Sequence, residues 1–280
     1  MSKPGRTPDF IIIGAMKSAT STLHKQLSVQ PGIFMSTPKE PNFFSDDLIY
    51  KRGLDWYKGL FCEADADDIC GESSTHYTKL PDYPDTVQRL KEAIPNPKLI
   101  YVMRNPIDRL ISHYIHQWSE GVITCDMNNA IDRYPELVNY SCYGMQIDAY
   151  VTAFGKEAIL LVSFEALKKK PQKVLEEIGQ FIGYENEQAL TWDFDLGPDN
   201  VSKKRVRKFF GFEVLINSSF MTFVRRKCIP KWFRTIVYQR LTMTGRPSIS
   251  STQLARIKAV FESDFHYVKG HFKVEVSDEK

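Results

Sequence analysis

Between residues 14 and 21 the chain reads GAMKSATS, a glycine, one lysine and then small or hydroxylated residues. An apolar run, DFIIIG (9–14), leads into it and a helical pattern leads out. Such a turn aims the N–H groups of Ser18 to Ser21 at a helix start, where they suit an anion, and Lys17 adds a movable positive charge. A second set begins where LIYVM (99–103) runs into Arg104. Asn105 is a natural N-cap and Pro106 a natural first helical residue. Ser112 then lies about 10 Å along the helix, within the fold-back of a long arginine side chain, so Arg104 and Ser112 could grip one phosphate. The third set is STPKEPNFFSDD (36–47). Pro41 pushes Glu40 out of the helical region. Phe43 and Phe44 anchor the loop, leaving Glu40 aimed at a cleft, where a carboxylate is suited to general-base work.

These loops need strands and helices to carry them. DFIIIG, KLIYVM (98–103) and AILLVS (158–163), with DICGES (68–73) as a fourth candidate, are short apolar runs with little alternation. That pattern suits strands buried on both faces. Helical stripes lie between them: Val87, Leu90 and Ile94 after Pro84; Leu110, Ile111, Tyr114 and Trp118 after Pro106; Val174, Ile178 and Phe181 between Pro171 and Gly183. Another stripe, Leu254, Ile257, Phe261 and Phe265, runs between Ser250/Ser251 and Gly270. Strands alternating with helices predict one α/β domain around a parallel sheet, spanning 1–280. Right-handed crossovers place the loops after the strands along one edge, where ligands bind.

Composition narrows the chemistry. The 280 residues are 42% hydrophobic and 25% charged, ordinary for a soluble globular protein. No apolar run approaches the roughly 20 residues needed to cross a bilayer, and the N-terminus lacks a secretory core. The expectation is a cytoplasmic protein. Five scattered cysteines without a C-x-x-C fit free thiols in a reducing compartment. No Cys/His spacing suits zinc. Residues 203–240 hold eleven Lys/Arg and one acid, Glu213, leaving 26 basic and 33 acidic residues elsewhere. A basic segment of this kind, with apolar helical faces, suggests a flap at about 200–245 facing an anionic acceptor or a membrane surface; a solvated helical face is the plainer alternative.

Together these segments resemble the sulfotransferases that use 3′-phosphoadenosine-5′-phosphosulfate (PAPS), nearer the heparan-sulfate-type and bacterial members than the cytosolic phenol and steroid enzymes. IIIGAMKSATSTL is similar to the family's 5′-phosphosulfate loop, RNPIDRLISHY to its 3′-phosphate signature, KEPNFF to its glutamate segment, and GRP (245–247) to a Gly-Arg loop that closes on the nucleotide. The resemblance implies a P-loop-NTPase-like three-layer α/β fold. It implies cofactor contacts at Lys17, Ser18, Ala19, Thr20, Ser21, Arg104, Ser112, Gly245 and Arg246, with PAP as the product. It implies Glu40 as base, Lys17 stabilising the leaving nucleotide, and a hydroxyl-bearing acceptor such as a carbohydrate, a lipid-linked sugar or a natural product.

A P-loop kinase would need a glycine where Met16 stands and an Asp for Mg²⁺ where Arg104 stands. Sulfuryl transfer from an activated donor needs neither, so no metal is required. A PAP-binding or nucleic-acid-binding module without catalysis is the other alternative. The aromatics among residues 209–233 are spaced like helical faces rather than a stacking platform, so no nucleic acid is expected. One departure stands out. Heparan-type enzymes carry a lysine in E-K-T-P, whereas GESSTHY (71–77) has Ser73 there and His76 nearby. Lys39 is one candidate for that lysine's role, and His76 is a second candidate for base or sulfate contact, since a neutral imidazole suits either near pH 7.

Overall fold

The computed structural model describes residues 5–197, 243 and 245–272. The chain runs β1 (Phe10–Gly14), α1 (Thr20–Ser28), β2 (Ile33–Met35), α2 (Asp47–Tyr50), α3 (Leu54–Gly59), β3 (Ile69–Ser73), a 3-10 turn (Thr75–Thr78), α4 (Thr86–Ala93) and β4 (Lys98–Met103). It continues through α5 (Pro106–Ser119), α6 (Met127–Arg133), α7 (Glu136–Asn139), α8 (Tyr143–Phe154), β5 (Ile159–Ser163), α9 (Phe164–Lys169) and α10 (Pro171–Ile182). A last described helix, here α11, spans Ser251–His271. The basic segment 203–240 of the proposed flap at about 200–245 lies outside the described residues.

The five strands form one parallel sheet in the order β2-β3-β1-β4-β5. Side chains alternate across each strand, and both faces are buried. Ile11, Ile13, Leu99, Tyr101 and Met103 pack on one side with Leu90 of α4 and Ile147 and Tyr150 of α8. Phe10, Ile12, Ile100 and Val102 pack on the other with Leu23 and Leu27 of α1 and Val174 and Ile178 of α10. This is the physical reason the strands read as unbroken apolar runs. After β1 the chain turns toward β2 and β3; after β4 it turns toward β5. The connections therefore diverge between adjacent strands β1 and β4, opening a crevice at their carboxyl ends.

Local signals set the helices that flank this crevice. Asn105 caps α5 by accepting from the backbone N–H groups of Ile107 (3.1 Å) and Asp108 (3.2 Å). Pro171 opens α10, and Gly183 closes it at φ 79°. Ser250 Oγ accepts from Gln253 N at 3.3 Å at the head of α11. No local signal marks α8, whose apolar residues do not keep to one stripe. It is pinned by Asp264 of α11, which accepts from Gly144 N and Met145 N at 2.7 Å each. A Cβ on Gly144 would stand 2.5 Å from the Asp264 carbonyl, so glycine permits this approach.

Candidate active site

The loop after β1 carries two residues in left-handed backbone, Lys17 (φ 70°) and Ala19 (φ 63°). Such alternation turns successive N–H groups toward one concavity. Ala19 N-caps α1 without a side-chain hydrogen bond, and no acid sits in the first turn. The positive end of the helix is thus left open to an anion. Gly14 is not in left-handed backbone. It is needed for space, since a Cβ there would lie 2.1 Å from Thr78 Oγ1 and 2.8 Å from the Tyr101 ring.

Arg104 leaves the end of β4 and ties the two central loops together, its Nη1 donating to the Lys17 carbonyl at 3.2 Å. The guanidinium lies 4.7 Å over the Phe164 ring, and its backbone carbonyl accepts from the Tyr143 hydroxyl at 2.8 Å. Arg104 Nε is buried with no hydrogen-bond partner among the described residues. Arg109, one turn further, is wholly buried and structural. It donates to Ser141 Oγ (2.6 Å) and the Leu137 carbonyl (2.8 Å) rather than to a carboxylate among the described residues.

Glu40 sits in left-handed backbone (φ 58°), as does Asn42 (φ 53°). Three contacts hold this bend: Glu40 N donates to the Ser73 carbonyl (2.9 Å), Asn42 N to Ser74 Oγ (3.1 Å), and Ser74 Oγ in turn to Glu72 Oε1 (2.5 Å). Glu72 is fully buried and also accepts from the Tyr57 hydroxyl. Phe43 and Phe44 are buried as the loop's anchors. The Glu40 carboxylate accepts from Lys39 Nζ at 2.6 Å and from Thr75 Oγ1 at 3.3 Å. Burial would raise its pKa, but the ion pair and hydrogen bond from Lys39, together with His76 and Lys79 nearby, outweigh that and hold it below the usual range. Lys39 is therefore engaged with Glu40, and its side chain is not part of the cavity wall. Removing it by Lys39→Met leaves burial unopposed by the nearest cation. The Glu40 pKa should rise, and the acidic limb of a kcat/KM profile should move to higher pH; an unmoved limb would mean that Glu40 is not the titrating group.

One cavity of about 1190 Å³ is lined by Lys17, Ala19, Thr20, Ser21, Glu40, His76, Arg104, Ser112, Gly245 and Arg246. Ser18 is the exception among the sequence-derived set. It is completely buried, its hydroxyl has no partner among the described residues, and its side chain does not line the cavity. Arg246 reaches across to pair with Asp108. The His76 ring packs 5.1 Å from that of Tyr83, and burial with Lys79 nearby depresses its pKa to about 4, leaving it neutral at pH 7. Sequence reasoning missed Thr75 and Lys79, and the aromatic wall of Phe164, Trp192 and Phe194. Lys79 follows His76 by three residues, and three residues complete one turn of 3-10 helix. That spacing was the available signal.

No helix among the described residues is long and apolar enough to cross a membrane. Residues 7–268 match the Sulfotransferase domain family. The human bifunctional heparan sulfate N-deacetylase/N-sulfotransferase 3 is 26% identical over 216 residues, covering 69% of this chain and 24% of that protein. The chain thus spans about a quarter of the length of that curated relative. A sulfotransferase from Alicyclobacillus acidocaldarius superposes with a TM-score of 0.67 at 21% identity, covering 97% of this chain and 98% of the other. A mouse sulfotransferase complexed with PAP superposes at 0.55 and 16% identity, covering 96% and 88%. With a domain match over nearly its whole length, and strand-end loops that converge on one anion-suited crevice, this chain belongs to the sulfotransferase domain family.

Proposed function

We propose that the chain moves a sulfuryl group from PAPS to a hydroxyl acceptor. The observation that carries this reading is a single cavity with an open helix start, Lys17 and Arg104 at one part of its wall and a carboxylate, Glu40, at another. The PAP complex of the mouse protein of like fold supports the choice of nucleotide. The unpartnered Arg104 Nε and the uncapped start of α1 fit a ligand with two phosphate-type groups.

PAPS supplies the sulfuryl group already activated. The residues of the 14–21 loop would hold its 5′ end, Arg104 and Ser112 its 3′-phosphate, and Gly245 and Arg246 would close over it. Trp192 and Phe194 offer flat apolar surface for the base. Glu40 would take the proton of the acceptor hydroxyl as the acceptor O–S bond forms. Lys17 would meet the charge left on the bridging oxygen as the S–O bond to PAP breaks. Such catalysis rests on positioning and charge placement. His76, neutral and in the same wall, is the second candidate for the base. The relative's name points to a carbohydrate acceptor, and the basic segment 203–240 favours an anionic one.

PAP is expected to raise the melting temperature, since a ligand bound only by the native state adds about 2.7 kcal/mol at a hundredfold excess over Kd. Adenosine 5′-phosphosulfate, which lacks the 3′-phosphate, should stabilise far less. Equal stabilisation by the two would refute the Arg104/Ser112 assignment. Transfer of labelled sulfate from PAPS, with EDTA present, onto a panel of carbohydrate, lipid-linked and small alcohol acceptors tests the activity itself. A strict Mg²⁺ requirement would overturn it.

A further inference from the structure

Lys79 stands in the cavity wall beside Glu40, Thr75 and His76, yet nothing in the reading above uses it. The residue is 9% exposed, and its ammonium lies 5.8 Å from the centroid of the Tyr140 ring. Among the described residues no carboxylate pairs with it: Glu40 is engaged by Lys39 at 2.6 Å, and Asp82 accepts from the Tyr140 hydroxyl. The other charges it feels are those of Glu40, Asp82 and Arg109. Burial lowers its pKa to about 8, so it stays mostly protonated at pH 7. A cation this deep is stable only when an anion or several acceptors meet it. Among the described residues the open side of Lys79 is the cavity and no carboxylate fills it, so a ligand in the cavity is the partner that the site offers.

We propose that Lys79 forms an oxyanion subsite at the acceptor end of the cavity, holding an anionic oxygen presented either by the sulfuryl group in transfer or by an acidic substituent on the acceptor. The subsite rests on the cavity being the PAPS site. It is a binding element, separate from the proton transfer assigned to Glu40.

The test uses inorganic sulfate as the probe and the PAP-saturated protein as the host. Sulfate should raise the melting temperature of the PAP complex saturably, beyond a sodium chloride control of equal ionic strength. Lys79→Met keeps the length of the side chain and removes the charge. It should weaken sulfate about 10- to 100-fold, the range of a hydrogen bond to a charged group, while PAP affinity stays at the wild-type value. Its ligand-free melting temperature should be equal or higher, because a buried cation without a partner has been removed. Lys79→Arg keeps the charge and should retain most of the sulfate binding, which guards against a packing artefact in the methionine variant. Repeating the titration with PAPS in place of PAP separates the two sources. Loss of the sulfate response would place the sulfuryl group on Lys79; its persistence would place an acidic group of the acceptor there. Unchanged sulfate affinity in Lys79→Met, or no saturable response in the wild-type PAP complex, would overturn the subsite. Failure of the wild type to bind PAP at all would instead overturn the cofactor reading, and the subsite with it.

Discussion

Glu40→Gln should lower kcat by about 10²- to 10⁴-fold, the usual contribution of a positioned general base, with PAP affinity nearly unchanged. The substitution keeps the side chain's shape and its capacity to accept one hydrogen bond, so the bend held by Glu40 N and the Ser73 carbonyl survives. Only the proton acceptor is lost. In the proposed role, the Lys39 ion pair would keep the carboxylate available, since it favours the ionised form although most of the side chain is buried. Such a base is weaker than one raised toward neutrality, but its lowered pKa favours the ionised form that accepts a proton. The competing assignment makes a different forecast. His76→Asn would then abolish transfer while Glu40→Gln stayed active, and measuring the two variants side by side with one acceptor decides between them.

Lys17→Met is the second large loss expected, about 10²- to 10³-fold in kcat, as when one charge-stabilising donor is removed from a reacting centre. Lys17 is held in left-handed backbone at the tip of the loop, and its carbonyl is gripped by Arg104. The backbone cradle therefore remains when the side chain changes. PAP should still bind, because the α1 amides, Arg104 and Ser112 are untouched, and the loss should fall on kcat more than on PAPS KM. A variant that lost PAP affinity and kept kcat would show that Lys17 serves ground-state binding alone.

Much of this was legible before any coordinates. The four long strands could be read because a parallel sheet covered on both faces demands continuous apolar residues, and α5 and α10 because proline and capping residues mark their starts. Arg104, Ser112, Lys17 and Glu40 could be placed together because strand-end loops of such a sheet share an edge. Other features left no local mark. β2 is three residues long, too short for a pattern. The helix α8 owes its place to Asp264, far away in sequence. The bend that presents Glu40 depends on Ser74 and Glu72, from a different strand. Lys39 was the candidate for the sulfate lysine, yet it pairs with its own neighbour, and nothing local singles out Lys79, which the fold buries.

The left-handed backbone at Glu40 sets stability against activity at one position. A side chain other than glycine, asparagine or aspartate held there costs about 1 kcal/mol or more, and the Ser73, Ser74 and Glu72 contacts offset it. Of the residues that the backbone would prefer, glycine and asparagine carry no carboxylate, and aspartate carries one set back by a methylene. If Glu40 serves as the proposed base, a search for heat-resistant variants would drift toward inactive sequences at this site, whereas a search for activity would keep a strained glutamate and its buried support. Robustness in this protein has to be sought elsewhere, in the helices and the outer loops, where stability does not compete with turnover.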